Sequence, residues 1–551
     1  MISDFEKLRG GYYTPSKIAK WICDWAIRTK EDRVLEPSCG DGIFLEFAAK
    51  RLMNLGGKVS DLKRQIYGIE LVADESNKTN KRINIAFADK KARFEFCRTA
   101  DFFSWNEENP SEKFSSIVGN PPFIRYQNFP EPSRSKAMTL MKKAGLKPNK
   151  LTNIWLPFVV GATELLKPNG RLAFVLPAEL LQVSYAQQLR AYLVDNFKNL
   201  KILTCNELLF ENAEQEVVLF LADYKRQEAS KTQKTYIDFL VSDNKQDMLS
   251  LKPLNGLLKC SNKVVNHDTE KWTKYFLTQK EISFIRALRQ AKEIVELGHH
   301  AKVDVGVVTG KNDYFVLDEG TVNKFDLQDF VFPIVGRASQ LRGVILKNKE
   351  LGELAKEGNK LFLFYKDFSI TQNIPEAVKR YIKEGEKQGV HLGYKCSIRK
   401  LWYHVPSVWK PDFYLFRQIY NFPRIVFNNT PATSTDTIHR MKTTADYKLL
   451  INTYYTHLTA ASAEIEGRSY GGGVLELEPT EAEKLLIPKE LNNGFPIEEM
   501  DNLVRSGRVN ELLEINDRNI LINRVGLSKD DCKLLKGIWT KLKERRLSRK
   551  Q

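Results

Sequence analysis

Four places in the first 126 residues combine residue types that could do chemistry. The first, VLEPSCGDGIFLEF (Val34–Phe47), opens on the acid-proline pair Glu36-Pro37, continues through Ser38 and Cys39, and carries glycines at Gly40 and Gly42. Two such glycines let a backbone bend sharply and allow a ligand close to it. The third glycine of a GxGxxG sequence is missing, which argues against a pyrophosphate site. In YGIELV, Glu70 could accept hydrogen bonds from the two hydroxyls of a ribose. A solvated glutamate at a strand end is the plainer reading. Asp101 could accept from an exocyclic amine and Phe102 could offer a ring face to an adenine, although an N-capping aspartate over a core phenylalanine accounts for them as well. The fourth place is IVGNPPFIRY (Ile117–Tyr126), where an apolar run stops at Asn120-Pro121-Pro122-Phe123. Neither proline can sit in a central sheet ladder, and a turn alone would explain Asn-Pro.

The elements that must position these residues are short apolar runs alternating with amphipathic stretches. Strands are expected at Arg33–Glu36, Gln65–Glu70, Phe94–Arg98, Ser116–Gly119, Arg171–Leu176, Lys201–Cys205 and Val217–Ala222, with helices at Ile43–Leu55, Ile154–Leu166 and Tyr185–Asn196. KPNG (Lys167–Gly170) ends a helix and turns into the buried-strand pattern RLAFVLP. The alternation predicts an α/β domain with a doubly wound, mostly parallel sheet. All four chemical places then fall at the carboxyl ends of successive strands, the edge where open α/β folds bind ligands.

A length of 551 residues exceeds one ordinary core. We expect a catalytic domain over 1–225, a polar linker or exposed hairpin within 226–267, where KRQEASKTQK opens the change of texture, and a mixed α+β domain over 268–551 that ends in a basic helix. Seven scattered cysteines without a CxxC pair argue for reduced thiols and against a zinc cluster, and no metal site is expected. No apolar run is long enough to span a bilayer and the N-terminus lacks a signal-peptide pattern, so a cytoplasmic protein without a membrane partner is expected. The net charge of +17 points to a polyanion, of which nucleic acid is the commonest.

The ordered set resembles the gamma-class (TaqI-type) adenine-N6 DNA methyltransferases, closely over residues 10–225 and loosely beyond. GYYTP (Gly11–Pro15) is similar to their N-terminal cofactor sequence, EPSCGDGIF to their glycine turn, Glu70 to the ribose acid, Asp101-Phe102 to the adenine pair, and Asn120–Phe123 to the catalytic sequence. The resemblance implies a class I S-adenosylmethionine-dependent methyltransferase fold followed by a DNA-recognition domain, with S-adenosylhomocysteine as product. It implies cofactor contacts from Tyr13, Thr14, Pro15, Glu36, Pro37, Ser38, Cys39, Gly40, Gly42, Glu70, Asp101, Phe102, Asn120, Pro121 and Phe158. It also implies catalysis by Asn120, Pro121, Pro122 and Phe123 on an adenine flipped out of double-stranded DNA, with Phe210 packing on the base. A type II restriction-modification system would add a separate endonuclease and place the protein on prokaryotic DNA, where a monomer suffices. Phe123 replaces the tyrosine of many members.

In the second half, Val303–Leu317, Lys395–Pro406 and Arg424–Met441 mix amide-bearing turns with basic and aromatic residues. Lys311, Asn312, Arg399, Lys400, Trp402, Asn428 and Asn429 are their candidate DNA contacts, and surface loops of a structural domain are the alternative. RSYGGGVLELEP (Arg468–Pro479) is expected to be structural. Cytosine-N4 enzymes tend toward Ser-Pro-Pro at the catalytic position, so Asn120 leans toward adenine. Protein-glutamine enzymes share Asn-Pro-Pro but are shorter, and an RNA acceptor is a remoter alternative.

Overall fold

The computed structural model describes residues 13–87, 94–205, 216–242, 244–250, 263–265, 270–367 and 374–548. Its first compact unit runs to Ile282 and its second covers Ser283–Leu547.

The first unit is built on one sheet of β1 (Val34–Glu36), β2 (Ile66–Glu70), β3 (Cys97–Thr99), β4 (Phe114–Gly119), β5 (Leu166–Pro177), β6 (Phe197–Cys205), β7 (Val217–Lys225), β8 (Thr235–Ser242) and β9 (Val264–Val265). Their order is β3-β2-β1-β4-β5-β7-β6-β8-β9. β1 to β5 pair in parallel, and β7 enters antiparallel between β5 and β6. The central strands are nearly continuous apolar runs because helices cover both faces, and burial is complete along Val34–Leu35 and Leu172–Leu176. The chain leaves β1 to one side and β4 to the other, so the crevice between their carboxyl ends is the topological switch point of the sheet.

Three expectations change here. The polar stretch after Lys225 is neither a linker nor a hairpin. It is the loop from β7 to β8, and β8 extends the same sheet parallel to β6, from Asn199↔Tyr236 to Cys205↔Ser242. Arg226 pins that loop by donating to the Val194 carbonyl at 2.7 Å and the Thr235 hydroxyl at 2.9 Å. The second change is the helix Ala73–Phe87, which apolar periodicity misses because its buried positions include Ser76 and Thr79. Its asparagines close the open sheet edge as a strand would. Asn80 Oδ1 accepts from the Phe96 and Cys97 amides at 2.8 and 3.0 Å while its Nδ2 donates to the Cys97 carbonyl at 2.8 Å, and Asn84 exchanges a similar pair with Phe94. KPNG, expected as a turn ahead of the strand, falls inside β5, where a register shift opposite Phe114–Ser116 takes up Asn169 in the left-handed region at φ 62°.

The second unit is mixed α and β. A five-stranded sheet takes the order Ala301–Asp304, Ile438–Thr443, Phe413–Phe416, Ile425–Asn429, Ile345–Lys347, and a four-stranded sheet lies around Phe362–Phe364 and Val331–Val335. The glycine-rich segment is a hairpin of Arg468–Tyr470 and Val474–Glu476, as a structural element should be. The basic terminal helix Lys529–Leu547 is built into this unit. Arg546 is buried, pairs with Glu464 at 2.6 Å and donates to the Gly473 carbonyl of that hairpin. Its remaining donors reach the carbonyls of Ile419 and Tyr420. A buried guanidinium placed this way is satisfied on nearly every side, which a buried charge requires.

Candidate active site

The site is assembled at the switch point. β1 ends at Glu36, and the chain turns through Pro37-Ser38-Cys39 and the left-handed Gly40 (φ 51°) and Gly42 (φ 80°) into the helix Ile43–Asn54. Gly42 is needed twice over. Its φ suits glycine, and a Cβ there would lie 2.7 Å from the Thr79 side chain. Glu70, at the end of β2, accepts from the Gly40 amide at 2.9 Å through one oxygen and from the Val72 amide at 2.9 Å through the other. The acid assigned to a ribose thus also holds the glycine turn in shape. Thr79 donates to the Gly40 carbonyl at 2.9 Å and Arg82 reaches the Asp41 carboxylate at 3.0 Å. Both lie on the polar helix that sequence patterning missed. Their spacing of three, one helical face, is the signal that could have found them.

β4 delivers Asn120 to the other side of the crevice. Its side-chain amide donates to the Thr14 hydroxyl at 3.3 Å, and its backbone carbonyl accepts from Ser38 Oγ at 3.4 Å. Thr14, the turn after β1 and Asn120 therefore meet at one point. Tyr13 flanks them, with its hydroxyl on Glu75 at 3.2 Å and its ring beside Gly40. Pro121 is buried, and Pro122 and Phe123 are half-buried, Phe123 packing on the core beneath the sheet. Cys39 is buried behind the turn, with its amide on the Ile69 carbonyl at 3.0 Å.

Glu36 lies at the floor of the crevice, 1% exposed, and its Oε2 has no hydrogen-bond partner. Burial drives its carboxyl well above the usual carboxylate range, and the nearby Cys97, Asp41 and Glu70 add to this. A buried carboxyl with one oxygen left without a partner, beside a glycine turn, is a place for a cation.

Asp101 and Phe102 take up the plainer of their two readings, a helix cap over a core ring. Asp101 caps the helix Phe102–Glu108, accepting from the amide and hydroxyl of Ser104 at 2.8 and 2.9 Å, and both bonds fall on Oδ1. Phe102 is 3% exposed and stacks on Phe158, 6% exposed, with centroids 5.1 Å apart. The ring expected to face an adenine and the aromatic expected near the cofactor thus cover each other. Phe210 lies outside the described residues, as do Gly11 and Tyr12.

In the second unit the three expected stretches are brought together. Val307 pairs with Thr435, and a Cβ at Gly306 would overlap the Thr435 carbonyl, so only glycine allows the approach. Gly310 sits against Lys395 and Cys396, and Arg399 donates to the Val308 carbonyl at 2.8 Å. Lys311, Asn312, Lys400 and Asn429 are exposed around this junction. Asn428 is a correction. It is 2% exposed, its Nδ2 donates to the Pro411 and Ala432 carbonyls at 3.0 and 2.8 Å, and its Oδ1 accepts from the Thr430 amide and hydroxyl. No atom of it is left for DNA. Trp402 is likewise a packing residue, half-buried against Tyr314 and Phe315.

The comparisons agree with this geometry. The family model of N-6 DNA methylases matches residues 2–309, and that of the C-terminal domain of the type II methyltransferase M.Eco57I matches 269–521. The chain is 23% identical to the type II methyltransferase M.AccI of Acinetobacter calcoaceticus, over 93% of this chain and 92% of that protein. It is 26% identical to M.BstVI of Geobacillus stearothermophilus, over 62% of this chain and 65% of that one. Among solved structures, the DrdV–DNA complex superimposes with a TM-score of 0.55 at 12% identity, covering 91% of this chain and 57% of that one. The Type IIL restriction-modification enzyme MmeI in complex with DNA gives 0.52 at 13%, covering 98% and 76%. These two likenesses speak for the fold. With a matching family model over more than half of its length, the chain belongs to the N-6 DNA methylase family.

Proposed function

We propose that this chain transfers a methyl group from S-adenosylmethionine to the N6 amine of an adenine flipped out of double-stranded DNA. In a type II restriction-modification system it would protect sites from a separate endonuclease. The observation that carries the reading is Asn120, held at the switch point by Thr14 and Ser38 beside the buried Glu36. The residues fit the cofactor. Glu36 would supply a carboxylate for its ammonium, the Gly40–Gly42 turn would admit close backbone approach, Glu70 would accept from its ribose, and Asp101 Oδ2 would accept from its adenine amine. When bound, S-adenosylmethionine supplies a methyl group activated by a sulfonium.

This chain's residues prepare the acceptor. The lone pair of adenine N6 is delocalised into the ring and makes a poor nucleophile. The Asn120 side-chain oxygen and the Pro121 carbonyl accept its two N–H groups, drawing the nitrogen toward tetrahedral geometry. Thr14 orients the amide so that Oδ1 faces the acceptor, and the two prolines keep both oxygens aimed before substrate arrives. Phe123 stacks on the extruded base. The unit after Ile282 supplies target recognition, with Lys311, Asn312, Arg399, Lys400 and Asn429 on the side toward DNA.

The test is label transfer from labelled S-adenosylmethionine to duplex DNA, followed by digestion to nucleosides. Label is expected in N6-methyladenine. Label in cytosine, RNA or protein would overturn the reading.

A further inference from the structure

Between Ile124 and Ile154 the chain makes an excursion that leaves and returns at the catalytic edge. Its two ends are tied together by the Ile154 amide, which donates to the Ile124 carbonyl at 2.9 Å, one residue beyond Asn-Pro-Pro-Phe. Its helix Ser133–Lys143 turns Ala137 and Met141 inward and leaves the rest of its surface largely to solvent. Its composition is one-sided. Arg125, Arg134, Lys136, Lys142, Lys143, Lys147 and Lys150 stand against a single acid, Glu131. Arg134 pairs with Glu131 and Lys136 with Glu107, but Arg125, Lys142, Lys143, Lys147 and Lys150 are exposed and have no carboxylate partner among the described residues.

The part that carries the lysines is held in shape. Lys142 and Lys143 end the helix Ser133–Lys143. The Lys147 amide donates to Gln188 Oε1 at 2.6 Å, which fastens the following loop to the helix Gln187–Asn196. Asn149 and Thr152 close the tip, the Leu151 amide donating to Asn149 Oδ1 at 2.8 Å and the Asn149 amide to Thr152 Oγ1 at 2.9 Å. Leu151 stands out at 70% exposure between these cations, and a cavity of about 160 Å3 opens beside it. Unpaired like charges crowded on an ordered loop repel one another, a cost that a polyanion removes.

We infer that this excursion is a DNA-backbone clamp belonging to the methyl-transfer unit itself, in which Lys142, Lys143, Lys147 and Lys150 neutralise phosphates beside the extruded base. The inference rests on the proposed DNA substrate. It assigns the clamp to a segment outside the recognition stretches, where contacts made to phosphates hold register and contribute equally on every sequence. Because the base of the excursion is tied next to Asn120, a phosphate held there fixes the strand relative to the catalytic acceptors.

The experiment compares three full-length proteins: wild type, a variant with Lys142, Lys143, Lys147 and Lys150 all changed to Gln, and a control of equal charge loss, K20Q/K30Q/K50Q/K63Q, on the same unit. Duplex binding is measured across a salt series, and thermal melting with S-adenosylmethionine titration shows that each protein is folded. The clamp variant is expected to flatten the slope of log K against log salt by about 2–4, on the basis of about 0.9 per phosphate contact, equally on cognate and random duplexes. Its KM for DNA should rise while cofactor affinity stays at the wild-type value, and the control should change the slope by less than about 1. Equal slopes for wild type and clamp variant, or equal losses in clamp variant and control, would overturn the clamp. Stronger wild-type binding to duplex RNA than to duplex DNA, lost with the same lysines, would overturn the choice of partner. If the wild type methylates no DNA, the proposed function itself falls, whatever the salt slopes.

Discussion

Asn120 and Asn428 occupy similar places in their local chains and opposite places in the molecule. Each stands at the end of an apolar strand, and each is followed within three residues by proline. Asn120 leaves a parallel strand at a switch point, where its amide finds Thr14, 106 positions earlier in the chain. Asn428 lies next to the end of a strand inside an irregular unit, and its side-chain bonds go to residues of its own loop and to the neighbouring Pro411. The difference follows from what surrounds the strand end. In a doubly wound sheet the strand ends open into a crevice, so a polar side chain there can face a ligand. In a unit of short strands and turns, buried backbone groups lack ladder partners, and polar side chains are used to satisfy them.

Replacing each asparagine by alanine breaks the comparison most directly. Asn120→Ala should lower the single-turnover transfer rate by about 1000-fold or more, the scale of losing an aimed acceptor at a reacting centre. Calorimetric titration should find cofactor affinity within a few fold of wild type. Asn428→Ala should leave the chemistry intact in protein that is still folded, while costing roughly 2–4 kcal/mol of stability by stranding buried carbonyls and an amide. Denaturant unfolding measures that cost, and a loss confined to DNA affinity would return Asn428 to the recognition surface.

The buried Glu36 sharpens the contrast with a smaller, pH-dependent effect. In the free protein its carboxyl is raised by burial first and by neighbouring acids second. Its contribution to stability is therefore fully present below the ordinary carboxylate range and is lost as pH rises through the raised folded value. Glu36→Gln should melt like wild type at acid pH and higher than wild type at neutral to alkaline pH. Binding a cation beside Glu36 favours the ionised form, so wild-type affinity for S-adenosylmethionine should climb with pH across the same window. The glutamine variant should bind about tenfold more weakly at the upper end, the scale of one hydrogen bond to a charged group, with a flatter profile. Titrations at several pH values check both slopes.

Much of the first unit was legible because parallel strands announce themselves. β1, β2 and β4 to β7 lie where apolar runs end in Glu36, Glu70, Asn120 and a proline-closed RLAFVLP, and the order of those ends names the crevice. The helix Ala73–Phe87 was not legible, since its buried face carries Ser76, Thr79 and the strand-capping Asn80, which give no apolar period. The roles of Thr79 and Arg82 in holding the glycine turn went unseen with it. In the second unit the three stretches expected to contact DNA do adjoin one another, but which of their side chains reach the surface was not legible. Local pattern says that a turn is polar. It does not say whether the polarity faces solvent or the turn's own carbonyls.

The sequence by itself determined the doubly wound sheet, the edge at which its chemistry gathers, and the resemblance carried by Glu36, Glu70, Asp101 and Asn120. These rest on local rules of strand length, glycine conformation and proline exclusion. Only the tertiary structure decided that Thr14 and Ser38 hold Asn120, that Phe102 and Phe158 cover each other, that Asn428 is spent inward, and that the exposed lysines after Asn-Pro-Pro-Phe have no carboxylate partner among the described residues. Each of these depends on which distant groups share a neighbourhood, and the energy of a polar side chain is set by that neighbourhood, not by its place in the chain.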